Sequence, residues 1–171
     1  MSDQKILWQR TLREFAGPGI DHPSEMMQVG AREAAAIRAD LLTQAWLPPV
    51  YSGQGRHAGY VVCNSADSWS SGVFLDGTLV GFYAGASLWI ARAHRGLGLD
   101  LPLILAAAEQ RGGTVLPPGV ISQGYTAAGV EAHRAAHRHA VAMALSQGLA
   151  VPQAVLNDID AAQPAASTAA G

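Results

Sequence analysis

The sequence has little cysteine and little charge, and it lacks long apolar runs; each shortage excludes a class of protein. Its single cysteine, Cys63, permits no internal disulfide and is typical of a reducing compartment. Charged residues make up 14% of the chain and the formal net charge is -2, so the basic excess of a nucleic-acid-binding protein is missing. Charges or prolines interrupt every apolar stretch before it reaches membrane-spanning length, and no apolar signal-peptide core follows the N-terminus. We therefore expect a cytoplasmic protein without nucleic-acid or membrane partners.

What the chain does have is enough apolar residues for one core. Hydrophobic residues make up 49% of the chain, which is typical of a globular domain. A length of 171 residues suits one such domain and is too short for two domains of ordinary size. We predict a single domain over residues 1–158. Residues 159–171 are rich in Ala, with Gln, Pro, Ser and Thr, and this low complexity predicts a disordered tail.

Apolar periodicity and turn residues predict an α/β domain. Helical spacing and capping residues predict helices over residues 24–46, 101–110, 126–147 and 152–159. Short apolar runs predict strands at residues 60–63, 72–75, 78–83 and 87–91, with a further strand within residues 5–15. Asp76-Gly77 is the dipeptide favoured in two-residue hairpin turns, so the second and third of these runs should pair.

The most informative segment is Leu88–Asp100, which reads as a strand, a glycine-rich turn and the start of an apolar helix. A strand that ends in Arg95-Gly96-Leu97-Gly98 and then starts a helix leaves several backbone N–H groups in one small volume. These amides and the positive end of the helix dipole together attract phosphate. The segment predicts a site for a phosphorylated cofactor.

This order of elements resembles the core of the GNAT superfamily of CoA-dependent N-acyltransferases. The resemblance covers residues 72–111: the hairpin Asp76–Phe82, the strand with Leu88 and Ile90, and the turn, where Arg95, Gly96, Gly98 and Leu99 match the family pattern. It implies a mixed, mostly antiparallel sheet flanked by helices, with acetyl-CoA or a related acyl-CoA as the cofactor. The amides from Arg95 to Asp100 would hold the CoA pyrophosphate, and the edge of the last strand would pair with the pantetheine arm. The implied cofactor-binding residues are Leu88, Ile90, Arg95, Gly96, Leu97, Gly98, Leu99 and Asp100.

Three departures from the family pattern bear on this expectation. Asp100 stands where the family has glycine or another small residue; it could cap the helix, and it would repel a pyrophosphate. The link between the strands at residues 78–83 and 87–91 is shorter than usual. Residues 149–171 do not supply the family's two terminal strands, so the sheet either lacks them or is completed by another segment or subunit.

A second unusual feature is the helix that carries His133 and His137 four residues apart, beside Arg134 and Arg138. This is metal-ligand spacing, but Arg134 occupies the place of the glutamate in the zincin pattern, and we predict no metal. One histidine could act as a general base, or the face could meet an anionic ligand. A solvated polar face is the alternative.

N-acyl transfer needs a base for the amine and an acid for the leaving thiolate. The resemblance implies a tyrosine near the fourth helix as that acid, and Tyr125 is the nearest match. The candidate catalytic residues are Tyr125, His133 and His137. His94, directly before the turn, is a further candidate base.

The expected function is transfer of an acetyl or other acyl group from a CoA thioester to an amine of a small molecule or a protein. Two alternatives stay open. One is a catalytically inactive GNAT-fold module that binds or regulates, in one version as a homodimer. The other is a different enzyme that uses the His133/His137 face as its site.

Overall fold

The computed structural model describes residues 5–67 and 69–162, which form one antiparallel sheet with helices on both faces. Five strands pair in chain order, each antiparallel to the next. They are β1 (Tyr51–Ser52), β2 (Tyr60–Asn64), β3 (Ser70–Leu75), β4 (Thr78–Ala84) and β5 (Ser87–Ile90). The predicted α/β class is thereby confirmed. The expected mixed sheet is wrong for the described residues, because each of their strand pairs is antiparallel.

The described residues form five α-helices. They are α1 (Leu12–Ala16), α2 (Ala31–Leu41), α3 (Asp100–Gln110), α4 (Ala127–Ser146) and α5 (Gln153–Ala162). Helix α3 lies on one face of the sheet and α4 packs on α3, whereas α2 lies on the other face against β4. No described helix combines the length and the apolar character needed to cross a membrane.

Two apolar layers result because neighbouring side chains of a strand point to opposite faces. The larger layer, between the sheet and α3 and α4, contains the fully buried Val62, Val73 and Ile104. The smaller layer contains Leu79 and Phe82 beneath α2. Burying a side chain of this size stabilises the fold by about 1.5–3 kcal/mol.

The hairpin between β3 and β4 has the predicted turn. Asp76 and Gly77 both have positive φ, 49° and 78°, which is the backbone that the right-handed twist of the two strands requires. A second two-residue loop, Gly85-Ala86, connects β4 to β5. The register shifts by one residue opposite Val73 and Phe74, so β4 carries a bulge at Val80.

Two predictions near the N-terminus are wrong. Residues 5–15 form no strand: a 3₁₀ turn at Leu7–Gln9 is followed by α1, whose start is capped by Thr11. The helix predicted over residues 24–46 is α2 alone, preceded by a separate 3₁₀ turn at Glu25–Met27. The interruption has a physical reason, because Ser24 caps only the short turn and the extended chain after it lets Val29 pack with the smaller layer.

The last two described helices lie near the C-terminus. Helix α4 confirms the predicted helix over residues 126–147, with the Thr126 hydroxyl accepting from the Gly129 N–H at 3.0 Å. Helix α5 extends to Ala162 and so includes residues 159–162, the first four residues of the predicted tail. Asp158 anchors this helix by accepting the N–H of Leu12 at 2.7 Å. The remaining part of the predicted tail, residues 163–171, lies outside the described residues.

Candidate functional site

An open cleft of about 650 Å³ lies where β5, the glycine turn and the start of α4 meet. Most of the predicted cofactor-binding residues line it, namely Leu88, Ile90, Arg95, Gly96, Gly98, Leu99 and Asp100. Tyr125 and His133 line the same cleft. The fold therefore brings the glycine turn and two of the three candidate catalytic residues together. Leu97 packs against the larger apolar layer instead.

The turn presents free backbone amides. Gly96 and Gly98 have φ values of 79° and 76°, a left-handed backbone that residues with a Cβ rarely adopt. The five consecutive N–H groups from Gly96 to Asp100 have no hydrogen-bond acceptor among the residues that the structure describes. These amides include the first one of α3, where the positive end of the helix dipole adds to them. The arrangement can bind an anion.

Two side chains from the loop before β2 hold the opposite side of this turn. Arg56 Nη2 donates to the Gly96 carbonyl at 2.9 Å, and His57 Nε2 hydrogen-bonds to the Leu97 carbonyl. In a trans peptide the carbonyl of one residue and the N–H of the next point in opposite directions. The amides of Leu97 and Gly98 therefore point away from the carbonyls that these side chains hold.

Strand β5 is an edge strand, and half of its N–H and C=O groups face away from β4. The Gly85-Ala86 loop makes Ala84 and Ser87 a hydrogen-bonded pair, and alternation along the ladder adds Trp89. The N–H and carbonyl of Leu88 and the N–H of Ile90 then face outward. The Ile90 carbonyl, at the end of this edge, accepts from Arg95 Nε at 2.7 Å. The outward edge leads directly into the glycine turn.

Charges of both signs line the cleft. Arg56 and Arg95 supply positive charge, whereas Asp100 supplies a carboxylate beside the free amides. The prediction that Asp100 caps α3 is wrong: Leu99 is the N-cap residue and Asp100 is the first residue of the helix, with no side-chain capping bond. An acidic residue in this first turn still interacts favourably with the helix dipole.

A buried polar network forms the floor of the cleft. The hydroxyl of Tyr83 hydrogen-bonds to His133 Nε2 at 2.8 Å, and the Nδ1–H of His133 donates to the Gly129 carbonyl at 2.7 Å. Gln123 Nε2 donates to both tyrosine hydroxyls, at 2.8 Å for Tyr83 and 2.9 Å for Tyr125. The Tyr125 hydroxyl in turn donates to the Ala16 carbonyl.

Burial determines the protonation of this network. It lowers the pKa of His133 to about 4, because the charged imidazolium would be desolvated, although the bond to the Gly129 carbonyl opposes this shift. It raises the pKa values of Tyr83 and Tyr125 well above the ordinary range of tyrosine. At neutral pH the imidazole is therefore neutral and both hydroxyls keep their protons.

The three candidate catalytic residues occupy different positions. Tyr125 and His133 line the cleft, but the hydroxyl proton of Tyr125 and both ring nitrogens of His133 are engaged within the protein. His137 is buried outside the cleft, where its Nε2 donates to the Arg10 carbonyl at 2.8 Å and its ring stacks on Phe15.

The solvated polar face considered for α4 is wrong for His133 and His137, which are each 1% exposed and face the core. Arg134 and Arg138 lie outside the cleft lining, so the anion-binding role considered for them has no support here. His139, on the same helix, is exposed.

Two residues at the site, Arg56 and His57, were not predicted from the sequence, and a third, His94, was predicted only as a further candidate base. Arg56 and His57 contact the turn from 40 residues upstream, and no local pattern could have identified them. His94 lines the cleft with its Nδ1 hydrogen-bonded to the Tyr60 hydroxyl at 2.8 Å. Its Nε2 has no partner within the described part of the chain.

Two further observations concern ligands and relatives. Within residues 5–67 and 69–162, no three His, Cys, Asp or Glu side chains are grouped as a metal ion would require. Comparison of the chain with protein-family models, with curated proteins and with solved structures finds no match.

Proposed function

We propose that the cleft binds an acyl-CoA and that the protein transfers its acyl group to an amine. The observation that carries this proposal is the row of five amides from Gly96 to Asp100 that have no acceptor among the described residues, at the end of the open edge of β5. This combination offers a site for a diphosphate and, next to it, a strand edge for an extended amide-containing arm. The similarity of residues 72–111 to the GNAT core supports the same ligand.

Different residues of the cleft would bind different parts of the ligand. The amides from Gly96 to Asp100 would bind the pyrophosphate oxygens, with Arg56 and Arg95 balancing its charge. The two amides of the pantetheine arm would pair with the outward peptide groups of Leu88 and Ile90. The thioester would then lie along β5, and one of these outward N–H groups would stabilise the oxyanion formed on its carbonyl.

The proposed reaction joins the amine nitrogen to the acyl carbon. A C–N bond forms, the C–S bond breaks, the amine nitrogen releases a proton and the departing thiolate takes one up. His94 Nε2 is the ring nitrogen of the cleft left without a partner in the described chain. In the tautomer whose Nδ1–H donates to the Tyr60 hydroxyl, this Nε2 is the first candidate to accept the amine proton.

A second candidate function is a module that binds CoA without catalysis. A specific observation favours it: the Tyr125 hydroxyl donates to the Ala16 carbonyl, and both nitrogens of His133 are hydrogen-bonded. Neither group can take part in proton transfer without breaking a buried bond, which costs about 1–3 kcal/mol.

Isothermal titration calorimetry with acetyl-CoA and with CoA tests the proposal. We expect the wild-type protein to bind both, and Gly98→Glu to abolish binding by adding a carboxylate to the turn. Gly119→Glu is the matched control, because Gly119 also has positive φ, 78°, and lies outside the cleft. Absence of binding by the wild-type protein at millimolar ligand would refute the proposal. Binding without thiol release across a panel of amines would favour the non-catalytic module.

A further inference from the structure

We infer that His57 is a positioning residue. Its ring hydrogen-bonds to the Leu97 carbonyl on the side of the glycine turn opposite the cleft, so that the Leu97 and Gly98 amides face the phosphate-binding side. The inference rests on the proposed function and assigns a role to a residue that does not itself line the cleft.

The ring of His57 contacts the turn at its centre. Its Nε2 hydrogen-bonds to the Leu97 carbonyl, and a Cβ added to Gly98 would lie 3.8 Å from the same nitrogen. A carbonyl can only accept, so Nε2 carries the proton and donates it. Because the Leu97–Gly98 peptide is trans, fixing this carbonyl fixes the direction of the Gly98 N–H.

Tyr51 fixes the tautomer that this role requires. The Tyr51 hydroxyl lies 2.8 Å from His57 Nδ1, and the two rings meet edge to face with centroids 6.1 Å apart. In the neutral imidazole Nδ1 is then the acceptor and the hydroxyl is the donor. The chain of bonds therefore runs from Tyr51 on β1, at one edge of the sheet, through His57 to the turn that follows β5 at the other edge.

A glycine turn needs such a support. Gly96 and Gly98 have no side chains, and the left-handed backbone that they adopt is one of several open to glycine. Without a partner for the Leu97 carbonyl, its peptide is free to rotate, and the amide would lose its direction. A preorganised donor binds more tightly because no ordering cost is incurred when the ligand arrives.

Arg56 acts on the neighbouring carbonyl but serves the test less well. Its guanidinium donates to Gly96 and also lines the cleft, so replacing it would remove both a support and a charge. His57 lies outside the cleft lining, and its replacement changes the ligand site only through the turn.

The test compares CoA binding by the wild-type protein, His57→Ala, His57→Gln and Tyr51→Phe, using calorimetry. We expect His57→Ala to raise the Kd about tenfold, the effect of losing one hydrogen bond of about 1.4 kcal/mol. A glutamine amide can donate from nearly the position of Nε2, so His57→Gln should restore most of the affinity. Tyr51→Phe, which keeps the ring but not its tautomer partner, should weaken binding severalfold.

A second readout separates positioning from general loss of structure. At an inorganic pyrophosphate concentration near the wild-type Kd, the Gly98 ¹⁵N–¹H signal should shift clearly in the wild-type protein and in His57→Gln, and much less in His57→Ala. Equal Kd values for the wild-type protein and His57→Ala would overturn the inference and leave the proposed function standing. Failure of the wild-type protein to bind CoA would overturn both. If His57→Ala does not fold, the comparison of Tyr51→Phe with the wild-type protein decides the matter.

Discussion

The hydroxyl of Tyr83 lies 2.8 Å from Nε2 of His133 and donates to it, joining β4 to α4 through the middle of the core. The direction of this bond follows from the other side of the ring, where Nδ1–H donates to the Gly129 carbonyl. Burial lowers the pKa of His133 to about 4, so the ring is neutral at neutral pH and its Nε2 accepts from Tyr83. Protonation of Nε2 would remove this acceptor.

The first prediction concerns stability below neutral pH. The pKa of His133 is lowered to about 4 from an ordinary value of 6.5, so protons bind the unfolded chain preferentially between these values. The free energy of unfolding should reach its full value above pH 6.5 and fall by about 3 kcal/mol on acidification to pH 4. Burial lowers the pKa of His137 as well, so this residue also contributes to the loss of stability at low pH.

Urea unfolding of the wild-type protein and of His133→Gln over this pH range measures the effect. The glutamine can accept from Tyr83 but does not titrate, so the variant should lose part of the pH dependence. His139→Gln, on the exposed side of the same helix, should leave it unchanged. An undiminished pH dependence in His133→Gln would show that this histidine does not carry it.

The second prediction compares two glycines with the same backbone. Gly96 and Gly119 have φ values of 79° and 78°, and a Cβ added to either would meet no atom within 4 Å. Replacement of either glycine by alanine should therefore lower the free energy of unfolding by about 1–2 kcal/mol, because alanine is strained in a left-handed backbone. We expect Gly96→Ala to weaken CoA binding at least tenfold in calorimetry and Gly119→Ala to leave it unchanged. Equal affinities would argue against the turn as the ligand site.

The third prediction gives Asp100 opposite effects on binding and on stability. Its carboxylate lies among the amides of the cleft and would repel a pyrophosphate, so Asp100→Asn should tighten CoA binding severalfold. The same carboxylate interacts favourably with the N-terminus of α3, so the variant should lose about 0.3–1 kcal/mol of stability. Calorimetry and urea unfolding measure the two effects.

Glu109→Gln is the control for Asp100, since it neutralises an exposed carboxylate near the other end of α3. It should leave CoA affinity unchanged. Weaker binding by Asp100→Asn would mean that the carboxylate contributes to the ligand site instead of opposing it.

The fourth prediction concerns the attachment of α5. The Asp158 carboxylate accepts the Leu12 N–H at 2.7 Å and thereby ties the last helix to the first turn of α1. Asp158→Ala should lower the free energy of unfolding by about 1–2 kcal/mol, because a half-buried amide loses a charged acceptor. Asp160→Ala, an exposed change on the same helix, should have little effect in the same urea titration. Similar losses in the two variants would contradict the assigned role of the bond.

Features that depend on neighbouring residues could be predicted from the sequence. Asp76-Gly77 determined the hairpin because its turn needs positive φ at both positions, which these residues tolerate. The capping of α4 by Thr126 and the free amides of the glycine turn are likewise local. All of them arise within a few residues, where backbone sterics and capping act without help from the rest of the fold.

Features that depend on packing were decided by the tertiary structure. The spacing of His133 and His137 predicted that they share one face of α4, but alanines lie on the buried and the exposed side alike, so no apolar contrast indicated which face turns inward. The support of the turn by Arg56 and His57 joins positions 40 residues apart. Such a contact depends on how the strands pair and twist in the sheet, and the strand order is determined by the whole chain.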